Sequence, residues 1–121
     1  MPSIPERQIQ SNFFKEIILR NWQQNKIFAF AVKNEVGKNN IVAGVLNKQA
    51  GVIKGVSDVV ILDFQGSKLP LFLEFKKPKQ KQTDSQKDFQ SLVEENGYTY
   101  AVVYSTAEAI NETVKYFELY V

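Results

Sequence analysis

Two apolar runs separated by a short turn constrain the fold of this chain more than any other feature of its sequence. Residues 57–64 (SDVVILDF) and 71–76 (LFLEFK) are almost continuously apolar, and residues 65–69 between them contain a glycine and a serine. This pattern is typical of two strands joined by a turn, and the continuous runs indicate strands covered on both faces. Four charged side chains interrupt them: Asp58, Asp63, Glu74 and Lys76. A charge in such a strand is costly unless another group balances it.

Strand geometry predicts that three of these charges meet. Glu74 and Lys76 are two residues apart, so their side chains point to the same face of a strand. A hairpin that turns around Gly66 places Asp58 opposite Glu74 on that face. Two close carboxylates repel each other unless a cation or a proton lies between them, and Mg²⁺ takes oxygen ligands from one or two carboxylates together with a substrate phosphate. The pattern therefore predicts metal-assisted phosphoryl hydrolysis.

The residue types that are missing narrow the chemistry further. The chain of 121 residues contains no histidine and no cysteine, which excludes serine–histidine and cysteine–histidine nucleophiles, disulfides and thiolate zinc sites. A bound metal must be held by oxygen, which favours Mg²⁺ or Mn²⁺ over Zn²⁺. With 44% hydrophobic residues, the length fits one domain with one core, residues 1–121.

Signals for membrane insertion and secretion are not found in the sequence. No run of about 18 apolar residues predicts a transmembrane span. The N-terminal residues MPSIPERQIQ lack the apolar region of a secretory signal. We therefore expect an intracellular, cytoplasmic protein that has no membrane partner.

Charge is distributed unevenly along the chain. Residues 1–81 carry thirteen Lys and Arg against six Asp and Glu, whereas residues 82–121 carry two against seven. The positive excess lies in the same part of the chain as the predicted site, which suits a polyanionic partner, although a solvated basic loop would give the same pattern. The lysines predicted to contact nucleic-acid phosphates are Lys33, Lys54, Lys77, Lys79 and Lys81.

Hydrophobic periodicity predicts the remaining elements. Residues 41–49 fit a short amphipathic helix, which could equally be plain core packing. The order α-β-(α)-β-β-α-β-α predicts an α/β fold with a mixed sheet flanked by helices. The other predicted elements are helices at residues 4–24, 83–96 and 106–119, strands at residues 26–33 and 99–105, and a loop at residues 34–40.

Two of the predicted helices show a clear apolar face. In the first helix, two rows of residues spaced by four form this face: Ile9, Phe13 and Ile17, and Phe14, Ile18 and Trp22. In the helix at residues 83–96, the residues expected to be buried are Phe89, Leu92 and Val93. Both helices are therefore expected to pack one side against the sheet.

Two polar side chains on these helices each have two explanations. Glu6 continues an apolar row of the first helix, but Ser3 and Glu6 also fit a capping box. Gln86 lies on the inward side of its helix at the first turn, but Thr83 and Gln86 fit a capping box equally well. The sequence alone leaves both alternatives open.

Asp58 followed by Glu74-Phe75-Lys76 resembles the signature of the PD-(D/E)XK nucleases. Within that superfamily the chain is similar to the VRR-NUC (virus-type replication–repair nuclease) family over roughly residues 26–105. Ser57 stands where the signature usually has proline, a position that shapes the start of the strand and is not a ligand. The further matching residues are Asn34-Glu35, Gly51, Lys54-Gly55-Val56, Ser85-Gln86 and Gly97-Tyr98.

The resemblance implies a restriction-endonuclease-like core and a set of metal ligands. Asp58 and Glu74 would ligate Mg²⁺ or Mn²⁺, with the backbone carbonyl of Phe75 as a third oxygen. Glu6 matches the acidic residue of the first helix that often completes the metal site in this superfamily. The resemblance therefore adds two ligands to the carboxylate pair indicated by strand geometry.

The resemblance also implies catalytic roles beyond metal binding. Lys76 would orient or deprotonate the attacking water, or hold the scissile phosphate. Gln86 would help to position the water or the lysine. The implied catalytic set is Asp58, Glu74, Lys76 and Gln86.

Stand-alone proteins of this kind resemble small homodimeric DNA-repair nucleases, often encoded by phages, that act on branched DNA such as four-way (Holliday) junctions. The resemblance thus implies a Mg²⁺- or Mn²⁺-dependent DNA endonuclease. Nothing in the sequence resembles a base-reading element, so selectivity for DNA structure is expected. The alternatives are a nucleic-acid-binding module without catalysis, a sequence-specific restriction-type nuclease, and an interaction domain in which the Glu74–Lys76 ion pair serves folding only.

Overall fold

The computed structural model of the chain describes residues 4–33, 49–51 and 53–119. The described elements follow the predicted order, while most of the predicted short helix at residues 41–49 and the Asn34-Glu35 pair lie outside the described residues. No helix among the described residues is long and apolar enough to cross a membrane. The elements are α1 (Glu6–Leu19), β1 (Ile27–Ala31), β2 (Val59–Asp63), β3 (Leu71–Phe75), α2 (Asp84–Glu95), β4 (Thr99–Val103) and α3 (Thr106–Phe117).

The four strands form one mixed sheet in the order β1-β2-β3-β4, which confirms the predicted fold class. Strand β2 is antiparallel to β1 and to β3, whereas β4 is parallel to β3. Val59 pairs with Leu73, so extending this register by one residue places Asp58 opposite Glu74. The predicted hairpin geometry is therefore confirmed at the position where it matters for function.

One face of the sheet carries the hydrophobic core. Leu71, Leu73 and Phe75 of β3 are buried on this face, where strand alternation directs every second side chain. Helix α1 contacts both β3 and α3, and the ring of Phe13 lies 5.8 Å from that of Phe75. The helices α1 and α3 therefore cover this face and fix the position of the first residue of α1 relative to β3.

The opposite face of the sheet is covered in part by α2. The ring of Phe72 lies 5.7 Å from Phe89 of α2 and 5.8 Å from Tyr98. Burial on both faces is confirmed for β3, but in β2 only alternate residues are fully buried among the described residues. The side chains of β3 that point to this second face therefore lie beneath a helix, and these include Glu74.

Helix α1 is shorter than the predicted helix at residues 4–24. It ends at Leu19 because Asn21 has a left-handed φ of 61° and the amide of Trp22 donates to the carbonyl of Ile17. The row Ile9, Phe13 and Ile17 is buried as predicted. The prediction that the second row is buried is wrong at Ile18, which is 61% exposed. Trp22 is buried, but it lies in the turn after the helix and not in the helix itself.

The buried face of α2 is also narrower than predicted. Val93 is buried and Phe89 is half-buried, but Leu92 is 54% exposed. The hydrophobic contact of α2 with the sheet is made by aromatic rings, since Phe89 lies within about 6 Å of both Phe72 and Tyr100. Leu92 therefore does not contribute to the core.

Hydrogen bonds at the helix starts bear on the explanations left open by the sequence. Helix α1 has Pro5 at its N-cap and no side-chain capping bond, so Glu6 is the first helical residue and not the third, as a capping box requires. Ser3, the other residue of the predicted capping box, lies outside the described residues. Helix α2 has the predicted capping box, in which Thr83 Oγ1 accepts from the amide of Gln86 (3.2 Å) and Gln86 Oε1 accepts from the amide of Thr83 (2.8 Å). Helix α3 is capped by Ser105.

Candidate active site

Two neighbouring strands bring three charged side chains to one end of the sheet. Asp58 immediately precedes β2, Glu74 is the penultimate residue of β3, and Lys76 follows that strand. The amide of Lys76 donates to the carbonyl of Val103 at 2.9 Å, so β3 remains paired with β4 one residue beyond its assigned end. Strand alternation therefore continues through Lys76, which keeps its side chain on the same face as that of Glu74.

The Glu74 carboxylate is the centre of the site. Its side chain is fully buried, and Oε1 accepts a hydrogen bond from the hydroxyl of Tyr100. Oε2 lies 3.9 Å from Nζ of Lys76, a residue that is only 4% exposed. Oε2 has no hydrogen-bond partner among the described residues. The Glu74–Lys76 ion pair is therefore buried, and its carboxylate oxygen Oε2 accepts no hydrogen bond from the described residues.

Asp58 is held by the backbone of β3. Its Oδ2 accepts from the amide of Phe75 at 2.7 Å, and its carbonyl accepts from the amide of Val32 at 2.8 Å. The pKa of the Asp58 carboxyl is raised overall, and burial is the largest cause. The negative charge of Glu6 also raises this pKa, whereas the Phe75 hydrogen bond and the positive charge of Lys76 lower it. The ionised form of this carboxylate is thus disfavoured by its surroundings.

Glu6 joins the site from the first turn of α1. Its charge acts on Asp58, so the two carboxylates are close enough to repel each other. Oε1 of Glu6 is buried and has no hydrogen-bond partner in the described part of the chain. Since Glu6 is the first helical residue, it does not occupy the third position that a capping box requires, and its carboxylate lies beside the predicted metal ligands.

The pKa of Glu74 reflects the same crowding of negative charge. Burial raises this pKa, the hydrogen bond from Tyr100 and the charge of Lys76 lower it, and repulsion from Asp58 raises it, with a net increase. Burial and the neighbouring Glu74 carboxylate also raise the pKa of Tyr100, so its hydroxyl stays protonated and acts as a donor. A cation added to this cluster would relieve the repulsion between the carboxylates.

The donor set fits a hard divalent cation in its chemistry. Two buried carboxylate oxygens, Glu6 Oε1 and Glu74 Oε2, lack hydrogen-bond partners among the described residues. The atoms predicted to bind the metal are all oxygens, as Mg²⁺ requires. Across the described residues, no three acidic side chains lie close enough to form a metal site by themselves. Mg²⁺ needs only one or two protein carboxylates, with water and phosphate supplying the rest. The ligand set, including the Phe75 carbonyl, stays a prediction.

Two glutamines lie near the site, and the sequence predicted a role for only one of them, Gln86. Gln86 is half-buried and its Oε1 is engaged in the cap of α2, so its predicted role at the water or the lysine stays a prediction. Gln82 lies close enough to Glu74 and Tyr100 to lower the pKa of both, and it donates to Oε1 of Gln90 at 2.9 Å. Sequence reasoning missed Gln82 because this residue lies in the segment between β3 and α2, where no helical or strand periodicity indicates which side chains point inward.

Sequence reasoning also missed Tyr100, whose hydroxyl binds the central carboxylate. The alternation of β4 places Tyr100 and Val102 on one face, but it does not reveal which residue of β3 they face. That register is fixed by the parallel pairing of Phe72 with Tyr100. The signal in the sequence was a polar aromatic residue in an otherwise apolar strand.

The glycine in the loop before β2 makes a close approach to α2. A Cβ on Gly55 would lie 2.2 Å from the carbonyl oxygen of Ser85, and the φ of Gly55 is 81°. This contact with α2 does not test whether the loop also approaches a ligand. Two residues later, Ser57 is fully buried and its hydroxyl donates to the carbonyl of Val59 at 3.4 Å. The loop is thus anchored to the helix that carries Gln86 immediately before the chain reaches Asp58.

The predicted phosphate-binding lysines are exposed, in contrast to Lys76. Three of them lie in the segment that joins β3 to α2, where the amide of Lys77 donates to Oε1 of Gln80 and the amide of Gln80 donates to the carbonyl of Lys77, both at 3.0 Å. This segment follows directly from the buried Lys76. The exposed lysines are Lys33, Lys54, Lys77, Lys79 and Lys81.

Comparisons with known proteins agree with this fold. The VRR-NUC domain family matches residues 6–107, a range that includes every acidic residue of the site, Lys76 and Gln86. A solved structure described as a VRR_NUC domain protein superimposes with a TM-score of 0.74 at 20% identity, covering 98% of this chain and 93% of that chain. At this level of identity the superposition establishes the shared fold. No curated protein matches the chain significantly.

Proposed function

The chain belongs to the VRR-NUC family, which implies a nuclease-type function, and on this basis we propose that it is a Mg²⁺- or Mn²⁺-dependent endonuclease that hydrolyses DNA phosphodiester bonds. The observation that carries the proposal is the buried Glu74 carboxylate. It lies opposite Asp58 and pairs with the buried Lys76 through Oε2, and this oxygen accepts no hydrogen bond from the described residues. A buried carboxylate oxygen that accepts no hydrogen bond is costly unless a ligand uses that oxygen.

We propose that Asp58, Glu74 and the Phe75 carbonyl hold the metal directly. Glu6 would join them only after the cation draws the acidic side chains together, since these three side chains do not form a metal-binding group among the described residues. When bound, a divalent cation polarises the phosphoryl oxygen and lowers the pKa of bound water. The protein holds Asp58 by a backbone hydrogen bond at 2.7 Å and Glu74 by the Tyr100 hydroxyl. The two carboxylates are therefore oriented before substrate arrives, which avoids reorganisation during the reaction.

Lys76 fits an electrostatic clamp on the scissile phosphate. Its ammonium is buried 3.9 Å from Glu74 Oε2, and the carboxylate balances its charge. A buried ammonium stabilises the extra negative charge that a phosphodiester gains as it is attacked.

The exposed lysines supply affinity for the DNA backbone. Lys77, Lys79 and Lys81 are all exposed in the segment that leaves the site, and contacts from lysine to phosphate position a protein on DNA without reading its sequence. We further propose selectivity for branched DNA such as four-way junctions, and a homodimer. Support for these two points is the family resemblance together with the match between a two-fold dimer and a two-fold junction.

A substrate survey tests the proposed function. Purified protein is incubated with labelled duplex, flap, single-stranded and four-way DNA in Mg²⁺, in Mn²⁺ and in EDTA. We expect cleavage only with a divalent ion, and faster cleavage of the branched substrates. DNA binding without cleavage of any substrate in either metal would overturn the nuclease proposal and favour a binding module without catalysis.

Substitutions at the site test the assignment of residues. We expect Asp58→Ala, Glu74→Gln and Lys76→Met each to lower kcat by roughly 100-fold or more, since transition-state charge stabilisation by one such group reaches this size. DNA binding in Ca²⁺, measured by fluorescence anisotropy, should be retained.

The matched control is Glu94→Ala, which removes an exposed acidic side chain from the far end of α2 and should leave kcat unchanged. Full activity in any two of the three site variants would show that the site is wrongly assigned. Circular dichroism of each variant distinguishes loss of chemistry from loss of fold.

A further inference from the structure

Tyr100 is a buried residue whose hydroxyl contacts the central carboxylate of the site. It lies in β4 opposite Phe72 of the parallel neighbour β3, while Glu74 lies opposite Val102. Tyr100 therefore shares a face of the sheet with Glu74 and is its diagonal neighbour, two pairing positions away. Its ring packs 6.1 Å from that of Phe89, so α2 holds it against the sheet.

The hydroxyl of Tyr100 donates to Oε1 of Glu74. A phenol has a single proton to donate, and an ionised carboxylate can only accept, so this bond occupies one of the two carboxylate oxygens. The other oxygen, Oε2, lies 3.9 Å from Nζ of Lys76 and has no hydrogen-bond partner among the described residues. Of the two Glu74 oxygens, Oε1 thus accepts a hydrogen bond, whereas Oε2 accepts none from the described residues.

We propose that Tyr100 is a positioning residue of the metal site, whose hydroxyl fixes the Glu74 carboxylate so that Oε2 alone is presented to the cation. This inference rests on the proposed function, since it assigns a role at the same site. Donors that bind a ligating carboxylate orient it, and their removal typically lowers metal affinity or activity by about 10–100-fold. Without the hydroxyl, both oxygens of Glu74 would be free to turn toward the metal or toward Lys76.

The other tyrosines in contact with the sheet show that this arrangement is specific. The ring of Tyr98 also packs on Phe72, but Tyr98 is 36% exposed. The hydroxyl of Tyr116 donates to the carbonyl of Leu69 at 2.7 Å, which is a structural bond to the backbone at the β2–β3 turn. Among these tyrosines, Tyr100 alone donates to a side chain of the site.

The test is Mn²⁺ binding to Tyr100→Phe in the absence of DNA, measured by calorimetry and by the EPR spectrum of the bound ion. The expected result is a loss of roughly 10–100-fold in Mn²⁺ affinity, the usual effect of removing a group that orients a ligand. In cleavage assays the Mn²⁺ concentration for half-maximal rate should rise by a similar factor. The KM for DNA should not change, because the hydroxyl contacts Glu74 and not the substrate.

Two matched controls separate positioning from a general loss of stability. Tyr98→Phe removes a hydroxyl from the same aromatic cluster, and Tyr116→Phe removes a hydroxyl that makes a structural hydrogen bond. Both should bind Mn²⁺ like the wild type. In the double variant Tyr100→Phe/Glu74→Gln, the effect of the tyrosine substitution should disappear, since its partner no longer ligates.

The outcomes distinguish this inference from the proposed function. If the wild type binds Mn²⁺ and Glu74→Gln does not, but Tyr100→Phe binds normally, the role of Tyr100 is overturned and the nuclease proposal stands. If the wild type does not bind Mn²⁺ at all, the proposed function fails and this inference fails with it.

A crystal structure of the wild-type protein with Mn²⁺ gives a second measurement that does not depend on the folding of a variant. The expected result is a metal bound to Oε2 of Glu74, with the Tyr100 hydroxyl retained on Oε1. A metal bound through both oxygens, or through Oε1 alone, would overturn the role of Tyr100.

Discussion

Gly55 shows how a single residue links the start of β2 to α2. Its φ of 81° and the 2.2 Å that a Cβ would leave to the Ser85 carbonyl oxygen both require glycine. Gly66, in the β2–β3 turn, also has a positive φ of 74°, but a Cβ there would meet no atom within 4 Å. The two positions therefore share a backbone conformation and differ only in packing, which makes them a matched pair for experiment.

We predict that Gly55→Ala destabilises the protein by about 3 kcal/mol or more, whereas Gly66→Ala costs about 1 kcal/mol. The left-handed conformation alone costs about 1–2 kcal/mol for a residue with a Cβ, and the clash of that Cβ with backbone adds a comparable amount. Urea unfolding of both variants measures the difference. Equal losses of stability would show that the loop does not pack tightly on α2.

A second prediction at the residue scale concerns Asp63, whose carboxylate organises the β2–β3 turn. It accepts from the amides of Gln65 (2.8 Å), Ser67 (3.1 Å) and Lys68 (3.0 Å) and from the Ser67 hydroxyl (2.9 Å). Slight burial raises the pKa of Asp63, but these hydrogen bonds outweigh it and lower the pKa below 3.8.

Because the folded pKa of Asp63 is depressed, its stabilisation is fully present above pH 3.8 and is lost as the pH falls through the folded value. Asp63→Ala should cost about 1–2 kcal/mol at neutral pH. The difference from wild type should narrow below pH 3.8. Unfolding free energies measured by urea titration at neutral and acidic pH test this; a difference that widens on acidification would contradict it.

At the scale of elements, α2 combines a structural and a candidate catalytic function at its first turn. The cap uses only the oxygen of the Gln86 amide, and the amide nitrogen, which carries two protons, is not committed to the cap. A residue can therefore belong to a capping box and still donate to a water molecule. The two explanations that the sequence left open for Gln86 are compatible.

The pair Thr83→Ala and Gln86→Ala separates these two roles. Each variant breaks the capping box and should lower stability by about 1 kcal/mol. Only Gln86→Ala removes the amide, so we expect it alone to lower kcat, by roughly 10-fold or more, as for other groups that position a reactant. Thermal unfolding and single-turnover cleavage measure the two effects. Equal kcat in both variants would leave Gln86 as a cap and nothing more.

At the scale of the whole molecule, charge and topology act together. The positive excess of residues 1–81 includes the exposed lysines that follow β3, while Lys76 is buried within the site. The end of β3 therefore divides one lysine cluster into a buried residue and an exposed group. In the proposed nuclease, this exposed basic segment, which starts at the candidate site, would bring the DNA backbone to the proposed metal ligands.

We predict that replacing Lys77, Lys79 and Lys81 by alanine weakens DNA binding equally for all sequences. If each contacts one phosphate, the slope of log affinity against log salt should fall in magnitude by about 1 per lysine. Anisotropy titrations in Ca²⁺ over a range of salt measure this slope. Lys115→Ala, an exposed lysine of α3, is the control and should leave the slope unchanged. An unchanged slope in the triple variant would place the DNA elsewhere.

Local geometry made much of the candidate site predictable. The two-residue alternation of a strand puts Glu74 and Lys76 on one face, and a short turn places Asp58 opposite Glu74, as the register confirms. Caps are local in the same way, so the capping box of Thr83 and Gln86 was found from sequence. Local patterns failed where packing decides burial, as at Ile18 and at Leu92, both exposed.

The sequence by itself determined the hairpin that carries Asp58, Glu74 and Lys76, because neighbours along the chain set its geometry. Only the tertiary structure decided that the Tyr100 hydroxyl meets Glu74 and that Glu6 lies beside Asp58. These contacts join residues far apart in the chain. They depend on the parallel register of β4 with β3 and on the packing of α1 across the sheet, which arise from burial of the whole core and not from any local period.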